Sequence, residues 1–172
     1  MAIQQEFIAL NLSHFDVKAF DCGKPAMNTY LAHFAAKNMG LKLSVTWVLP
    51  GEETVAGQKT PIATYYTLAS CTVTRDKIPT DDRLPGYPVP VVSLARLAVD
   101  RRFQGQRLGE KTLVSALRHS VTLTERGLPA MGLILDVLDE DALAFYQRFV
   151  LFKPFTDDPM KLFVPMKVVV QI

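Results

Sequence analysis

The spacing of apolar residues along the chain separates strand-like segments from helix-like ones. Apolar runs of strand length lie at residues 42–49, 61–74, 91–99, 131–138 and 161–170. We expect the first two strands to pair antiparallel through a loop that contains Gly57. The run 91–99 is apolar on both faces and predicts a central strand. Pro165 interrupts the last run and indicates an edge position or a bulge.

Three other segments repeat apolar residues at the spacing of a helix. The first follows Pro25, which is tolerated in the first turn of a helix, and ends at Gly40. The second covers residues 107–126. The third begins at Asp139, a predicted N-cap, and runs to Phe149. The residues of the third helix that we expect to face the core are Ala142, Phe145 and Phe149.

The predicted elements follow one another as β, α, β, β, β, α, β, α, β. A helix lies between the strands 91–99 and 131–138, so this part of the chain predicts a strand–helix–strand crossover. Residues 75–90 hold four prolines and one glycine, which predicts a long ordered loop of a kind that is often functional. Together the elements predict one mixed α/β domain over residues 1–172, with a central sheet flanked by helices.

Composition and charge are those of a packed globular protein. The chain has 172 residues, of which 49% are hydrophobic and 21% are charged, so it is not intrinsically disordered. Its formal net charge of +2 excludes a nucleic-acid binder built on a polybasic tail. For Cys22 and Cys71 we expect two reduced thiols rather than one bridge, and neither predicts a zinc site. The pattern contains no signal sequence or membrane span, so we expect a cytoplasmic protein.

The segment with the clearest chemical signal joins the strand 91–99 to the helix 107–126. It turns through Gly105 and Gly109, and glycines at the start of a helix let backbone N–H groups approach an anion closely. The pattern is not a Walker A loop, because no GK[ST] follows. It is not a dinucleotide fingerprint either, because the first glycine and the distant acidic residue are missing. An ordinary glycine turn is the alternative interpretation.

Residues 104–109 (QGQRLG) resemble the Q/R-x-x-G-x-G/A pyrophosphate loop of the GNAT superfamily of acetyl-CoA-dependent N-acetyltransferases. Residues 139–152 (DEDALAFYQRFVLF) are similar to the superfamily segment N-x-x-A-x-x-F-Y-x-x-x-G-F. This second segment departs from the pattern at Asp139, where Asn is common, and at Val150 and Leu151, where Gly is usual. The resemblance implies a single-domain GNAT-like fold with a mixed, mostly antiparallel sheet and a strand–phosphate loop–helix crossover.

Four further pieces resemble the toxin branch of this superfamily. They are FDCG at 20–23, NTYL at 28–31, YYTL at 65–68 and VSLARLAVD at 92–100. Members of that branch acetylate the amino group of aminoacyl-tRNA, so the resemblance implies a toxin that uses acetyl-CoA as co-substrate and blocks translation. It also implies a homodimer and a ribbon-helix-helix antitoxin, which neutralises the toxin and binds operator DNA together with it.

The same resemblance implies roles for particular residues. Tyr146 stands at the motif position of the general acid, and an aromatic packing residue is its alternative role. Backbone amides of the strand 91–99 would donate to the acetyl carbonyl, where such donors typically contribute a few kcal/mol. The residues that we expect to hold acetyl-CoA are Leu97, Ala98, Val99, Gln104, Gly105, Gln106, Arg107, Leu108, Gly109 and Glu110.

The strand 91–99 carries Ser93 and Arg96, whereas many relatives carry a glutamate that acts as general base. An aminoacyl ester needs such a base less than a lysine side chain does. A free α-amino group has a pKa of about 7.7–8.0, which the adjacent ester lowers, whereas a lysine has a pKa of about 10.4. This comparison favours aminoacyl-tRNA over lysine side chains as the substrate.

Charge is distributed unevenly along the chain. Residues 101–118 hold five basic side chains and one acidic one, whereas residues 136–158 hold two basic and six acidic ones. The basic residues expected to meet tRNA phosphates are Arg75, Lys77, Arg83 and Arg96. Acidic residues lie in the same loop, so a solvated face of mixed charge is the alternative interpretation.

Several polar residues predict no chemistry of their own. For Asp136 we expect a satisfied position on a strand, and for His14, His33 and His119 surface or core roles without a metal. Two other functions stay open at this point. One is an acetyltransferase for small amines or peptide N-termini, and the other is a non-catalytic scaffold subunit that binds acyl-CoA.

Overall fold

The computed structural model of the protein describes residues 3–52, 55–149 and 151–172. Its strands are β1 (Ile8–Ala9), β2 (Val45–Pro50), β3 (Ile62–Val73), β4 (Val89–Val99), β5 (Gly132–Asp136), β6 (Lys153–Pro154) and β7 (Lys161–Pro165). Its helices are α1 (Pro25–His33), α2 (Ala35–Gly40), α3 (Leu108–Glu125), α4 (Glu140–Gln147) and α5 (Met166–Val169). Short 3-10 helices cover Arg75–Lys77 and Arg101–Phe103.

Within the described residues, seven strands form one sheet in the order β1-β2-β3-β4-β5-β7-β6. Strands β1 and β2, β2 and β3, β5 and β7, and β6 and β7 pair antiparallel. Strands β4 and β5 pair parallel, with Val92 opposite Leu133, and α3 lies between them in the chain. These pairings confirm the mixed, mostly antiparallel sheet, the crossover and the central position of the strand predicted at 91–99.

The chain divides into two compact units. The first comprises Met1–Ala69 and Arg96–Ala116, and the second comprises Ser70–Ala95 and Leu117–Ile172. Strands β3 and β4 each contribute residues to both units. The buried residues of the first unit include Phe20, Leu31, Val48, Ile62 and Tyr65 in one cluster and Leu49, Ala63, Phe103 and Leu108 in another. Those of the second unit include Ile78, Val89, Val91, Ile134, Phe155 and Phe163.

The last strand was predicted too long. Strand β7 ends at Pro165, and the apolar residues that follow form helix α5. Met166 and Val169, three positions apart, are buried, whereas Val170 is 51% exposed. This spacing of the buried side chains is that of a helix and not of a strand. Strand β6 pairs with β7 opposite Leu162 and Phe163, whereas Pro165 has its one described strand partner in Gly132 of β5.

Two helices also differ from their predictions. The helix expected to run without interruption from Pro25 to Gly40 is divided at Phe34, whose side chain is 47% exposed. In α4 the buried side chain is Tyr146, whereas the residues expected to face the core are only half-buried. The predicted cap of α4 is confirmed, because the Asp139 carboxylate accepts a hydrogen bond from the Ala142 amide at 2.9 Å. Val150, at one departure from the superfamily pattern, lies outside the described residues.

Candidate active site

The loop between β4 and α3 carries the strongest conformational signature of the predicted site. Residues 104–107 are exposed. Gly105 has φ +86°, and a Cβ built there would meet no atom within 4 Å, so the backbone conformation rather than lack of space calls for glycine. Arg107 has φ +57°, a left-handed conformation that is uncommon for a side chain of this size.

Two buried side chains fix the ends of this loop. Phe103 is 1% exposed and Leu108 is 3% exposed, and both pack in one cluster with Leu49 and Ala63. Next to Leu108, the Thr112 hydroxyl donates to the Leu108 carbonyl at 2.5 Å and lies 2.6 Å from the Thr64 hydroxyl. The exposed loop therefore starts and ends on packed residues, which limits how far its backbone N–H groups can move.

Asp100 is a site residue that the sequence reasoning missed. Its carboxylate is 1% exposed and accepts hydrogen bonds from the Arg102 amide at 2.8 Å and from Arg102 Nε at 3.0 Å. It also accepts from Arg102 Nη2 at 3.2 Å and from the Asp21 amide at 2.9 Å. The hydrogen bonds between the two side chains raise the pKa of Arg102, and the whole set fixes the 3-10 turn that leads into the loop. The signal in the sequence is the Val99-Asp100 pair directly ahead of the turn.

The segment before α1 is attached to the same turn. The Asp21 carboxylate accepts hydrogen bonds from the Gly23 amide at 2.8 Å and from Asn28 Nδ2 at 2.9 Å. These bonds hold the pKa of Asp21 below its usual value, and the bond from Gly23 has the larger effect. The Arg101 amide donates to the Asp21 carbonyl at 2.8 Å. The Arg101 guanidinium lies against Gly23, where an added Cβ would be 2.9 Å from Nη2. The FDCG and NTYL pieces thus hold the turn that contains Asp100.

The end of β4 is partly accessible. Ala98 is buried, whereas Leu97 and Val99 are half-buried. The Gln104 side chain donates from Nε2 to the Val99 carbonyl at 3.2 Å, which ties the start of the loop to the strand end. The Arg96 guanidinium lies 4.4 Å from the centre of the Tyr30 ring, so part of its charge faces an aromatic surface.

Tyr146 is the buried side chain of α4 and is 7% exposed. The rings of Phe145 and Phe152 meet it edge to face, with ring centres 5.0 and 5.9 Å away. Burial raises the pKa of the Tyr146 phenol, so it keeps its proton at neutral pH. No described residue hydrogen-bonds to its hydroxyl, and no described buried polar side-chain atom lacks a partner.

The basic residues predicted in the proline-rich loop do not form a free positive patch. Arg75 Nη1 donates to the Leu84 carbonyl at 3.1 Å, and Lys77 Nζ lies 3.5 Å from a carboxylate oxygen of Asp157. Arg83 is exposed, and no other described residue pairs with it. Asp82 of the same loop accepts from Lys167 Nζ of α5 with both carboxylate oxygens, at 2.8 and 3.0 Å.

The remaining candidates have structural or surface positions. Asp136 is exposed and lies 3.7 Å from Lys161 Nζ. Burial lowers the pKa of His119. The described part of the chain contains no group of three or more His, Cys, Asp and Glu side chains that could hold a metal ion, and Cys22 and Cys71 are free thiols. Among the same residues, no helix is both long and apolar enough to cross a membrane.

Comparison with known proteins places the chain in a family. No protein-family model matches it. A tRNA-acetylating toxin from Mycobacterium tuberculosis (strain ATCC 25618 / H37Rv) is 35% identical over 154 residues, which cover 88% of this chain and 87% of the relative. This chain belongs to the GNAT-fold family of tRNA-acetylating toxins.

Solved structures of toxins have the same fold. A tyrosine-to-phenylalanine mutant of KacT is 28% identical, with a TM-score of 0.86 and 99% of each chain covered. AtaT complexed with acetyl-methionyl-tRNAfMet is 25% identical, with a TM-score of 0.83 and coverage of 96% of this chain and 97% of that one. AtaTR bound with acetyl-CoA is 26% identical, with a TM-score of 0.81 and 96% of each chain covered.

As a tRNA-acetylating toxin, the chain is an acetyltransferase, and its predicted site residues fall in both compact units. The strand end 97–99, the loop 104–110 and Arg96 belong to the first unit, and Tyr146, Arg75, Lys77 and Arg83 belong to the second. Read strictly, the superfamily pattern Q-x-x-G-x-G/A has glycine at position 107, where this toxin has arginine.

Proposed function

We propose that this protein transfers the acetyl group of acetyl-CoA to the α-amino group of aminoacyl-tRNA and thereby stops translation. The observation that carries the proposal is the 35% identity to a tRNA-acetylating toxin over 88% of the chain. The solved complex of a relative with acetyl-methionyl-tRNAfMet supports the choice of the amino group of a charged tRNA. An acetylated α-amino group can no longer attack the ester bond that links the growing peptide to its tRNA.

The loop 104–109 suits the pyrophosphate of acetyl-CoA. It is exposed, it leads into the 18-residue helix α3, and Gly105 has the positive φ that turns successive N–H groups towards one side. We assign the contacts with acetyl-CoA to the residues predicted from the sequence. They are Leu97, Ala98, Val99, Gln104, Gly105, Gln106, Arg107, Leu108, Gly109 and Glu110.

Tyr146 is proposed as the general acid. Acetyl-CoA supplies the acetyl group as a thioester, and the sulfur becomes a thiolate when the amine displaces it. A phenol that burial keeps protonated can donate a hydrogen bond to that sulfur, and the proton that the amine loses when its nitrogen is acylated neutralises the departing thiolate. Amides at the end of β4 would stabilise the negative charge that develops on the carbonyl oxygen. The α-amino group of the ester is largely neutral near pH 8, so no dedicated base is required.

The contacts with tRNA are proposed for Arg75, Lys77, Arg83 and Arg96, because basic side chains bind the phosphate backbone. The other contacts of these side chains decide how available each one is to bind a phosphate. Arg83 has its guanidinium available, whereas Lys77 and Arg75 are already engaged with Asp157 and Leu84. We therefore expect Arg83 to contribute most among the residues of the proline-rich loop.

The assembly and location are proposed from the same resemblance. We propose one acetyltransferase domain over residues 1–172, a homodimer in the cytoplasm, and a ribbon-helix-helix antitoxin. The antitoxin would neutralise the enzyme and, in complex with it, bind and repress the operator DNA of the two genes.

Labelled acetyl-CoA tests the reaction directly. The protein is incubated with labelled acetyl-CoA and, in parallel, with aminoacyl-tRNA, polyamines or peptides. We expect label in the tRNA fraction, and we expect mild alkaline deacylation to release it, because the acetyl group is on the amino acid. Label that enters only the small amines or peptides would contradict the proposal in favour of a different acetyltransferase. Binding of acetyl-CoA without any transfer would indicate a scaffold subunit.

A further inference from the structure

The segment 80–86 of the proline-rich loop is irregular, yet several contacts hold it in place. It contains neither helix nor strand. Arg75 Nη1 donates to the Leu84 carbonyl at 3.1 Å, and the Leu84 side chain packs against the buried cluster of the second unit. The Asp82 amide donates to the Thr80 hydroxyl at 3.1 Å. Most loop segments of this composition have fewer attachments to the rest of the fold.

Lys167 adds an attachment from a separate element. Its Nζ donates to both carboxylate oxygens of Asp82, at 2.8 and 3.0 Å, and this contact lowers the pKa of Asp82. The helix α5 that carries Lys167 is itself fixed. Met166 and Val169 are buried, and the Met166 amide donates to the Met131 carbonyl at 2.8 Å. The loop is therefore tied to a packed helix through one charged side chain.

Arg83 lies between two of the residues that these contacts hold. It is exposed, and no other described residue pairs with it, whereas Asp82 before it and Leu84 after it are both attached. A binding residue on a mobile loop must be ordered when the ligand binds, and this ordering weakens affinity. An exposed ion pair contributes little to folding, so we expect the pair of Lys167 with Asp82 to affect binding more than stability.

We infer that Lys167 is a positioning residue for aminoacyl-tRNA: through the Asp82 carboxylate it holds the backbone beside Arg83, so that this guanidinium meets a tRNA phosphate already ordered. The inference rests on the proposed function, in which Arg83 contacts tRNA. Lys167 itself does not bind the phosphate, because its ammonium group is engaged by both oxygens of a carboxylate. Acetyl-CoA has no part in this contact.

The test compares Asp82→Asn with Asp81→Asn. Each removes one negative charge from the loop, which by itself favours the approach of RNA, but no described residue bonds to the Asp81 carboxylate. Asp82→Asn should raise the KM for aminoacyl-tRNA about three- to fivefold, with kcat and acetyl-CoA affinity unchanged. Asp81→Asn should not raise it. Lys167→Gln should behave like Asp82→Asn, and Lys167→Arg, which keeps the ion pair, should behave like wild type.

A double-variant comparison shows whether the effect passes through Arg83. In the background of Arg83→Gln, Asp82→Asn should cause no further rise in KM, and a full further rise would overturn the inference. The inference would also fail if Lys167→Gln raised the KM while Asp82→Asn left it unchanged or lowered it, because Lys167 would then bind the phosphate itself. Wild-type protein that acetylates no aminoacyl-tRNA would instead refute the proposed function, before any variant is made.

Discussion

Two buried tyrosines differ in the partners of their hydroxyl groups, and the role proposed for Tyr146 in the reaction depends on that difference. Burial raises the pKa of both Tyr65 and Tyr146, so both phenols are neutral. The Tyr65 hydroxyl donates to the Met27 carbonyl at 2.7 Å, whereas no described residue bonds to the Tyr146 hydroxyl. The first hydroxyl is used inside the fold. The second has no described partner inside the fold.

Replacing each tyrosine by phenylalanine should separate these roles. Tyr146→Phe should lower kcat by at least about 100-fold while leaving acetyl-CoA affinity and the free energy of unfolding unchanged. Tyr65→Phe, the matched control, should lose about 1 kcal/mol of stability and keep its kcat. Steady-state kinetics and urea unfolding measure both effects. Near-wild-type turnover of Tyr146→Phe would remove Tyr146 from the mechanism.

At the scale of elements, the connection from β4 to α3 depends on one buried carboxylate. The Asp100 carboxylate accepts hydrogen bonds from Arg102 and from the Asp21 amide. It thereby fixes both the turn ahead of the loop and the segment ahead of α1. A carboxylate that is 1% exposed is tolerated because three donors of Arg102 and one amide satisfy it. Loss of its charge should loosen two segments at once.

The substitution Asp100→Asn tests this dependence. It removes the charge from a buried pair and replaces one acceptor by a donor, so the free energy of unfolding should fall by about 3 kcal/mol. Acetyl-CoA should bind more weakly, because the loop loses its support. Asp157→Asn, at an exposed pair with Lys77, should change neither quantity measurably. A variant at Asp100 with wild-type unfolding and binding would show that the turn does not need this carboxylate.

The sequence could predict those elements whose signals are local. Helix α3 and strands β3 and β4 are long and periodic, and α4 starts at a cap that contacts a residue three positions away. Strands β1 and β6 have two residues each, too few to show a period. The loop 104–109 and Tyr146 could be found from motifs. The bond between Asp100 and Asp21 joins residues 79 positions apart, and the pairing of Lys77 with Asp157 depends on folding in the same way.

For the whole molecule, the buried tyrosines predict an alkaline limit of stability. Burial raises the pKa of Tyr65, Tyr66 and Tyr146, whereas in the unfolded chain a tyrosine ionises near its ordinary pKa of about 10. Above that value the folded state binds more protons than the unfolded state, so stability falls as pH rises. Below about pH 9 these three groups should contribute no pH dependence.

Urea unfolding as a function of pH checks this prediction. The midpoint should decline between about pH 9 and pH 11, and the decline should be shallower in Tyr146→Phe, which has one fewer buried phenol. A urea midpoint that stays constant across this pH interval would contradict the burial of these three tyrosine side chains.

The most direct test of the central claim is the chemical identity of the product. Aminoacyl-tRNA is incubated with the protein and acetyl-CoA, digested with nuclease, and the terminal aminoacyl-adenosine is analysed by mass spectrometry. The account predicts a mass increase of one acetyl group, located on the α-amino nitrogen by fragmentation and absent without the enzyme. An unmodified aminoacyl-adenosine, in a reaction where the same protein acetylates free amines or peptides, would contradict it.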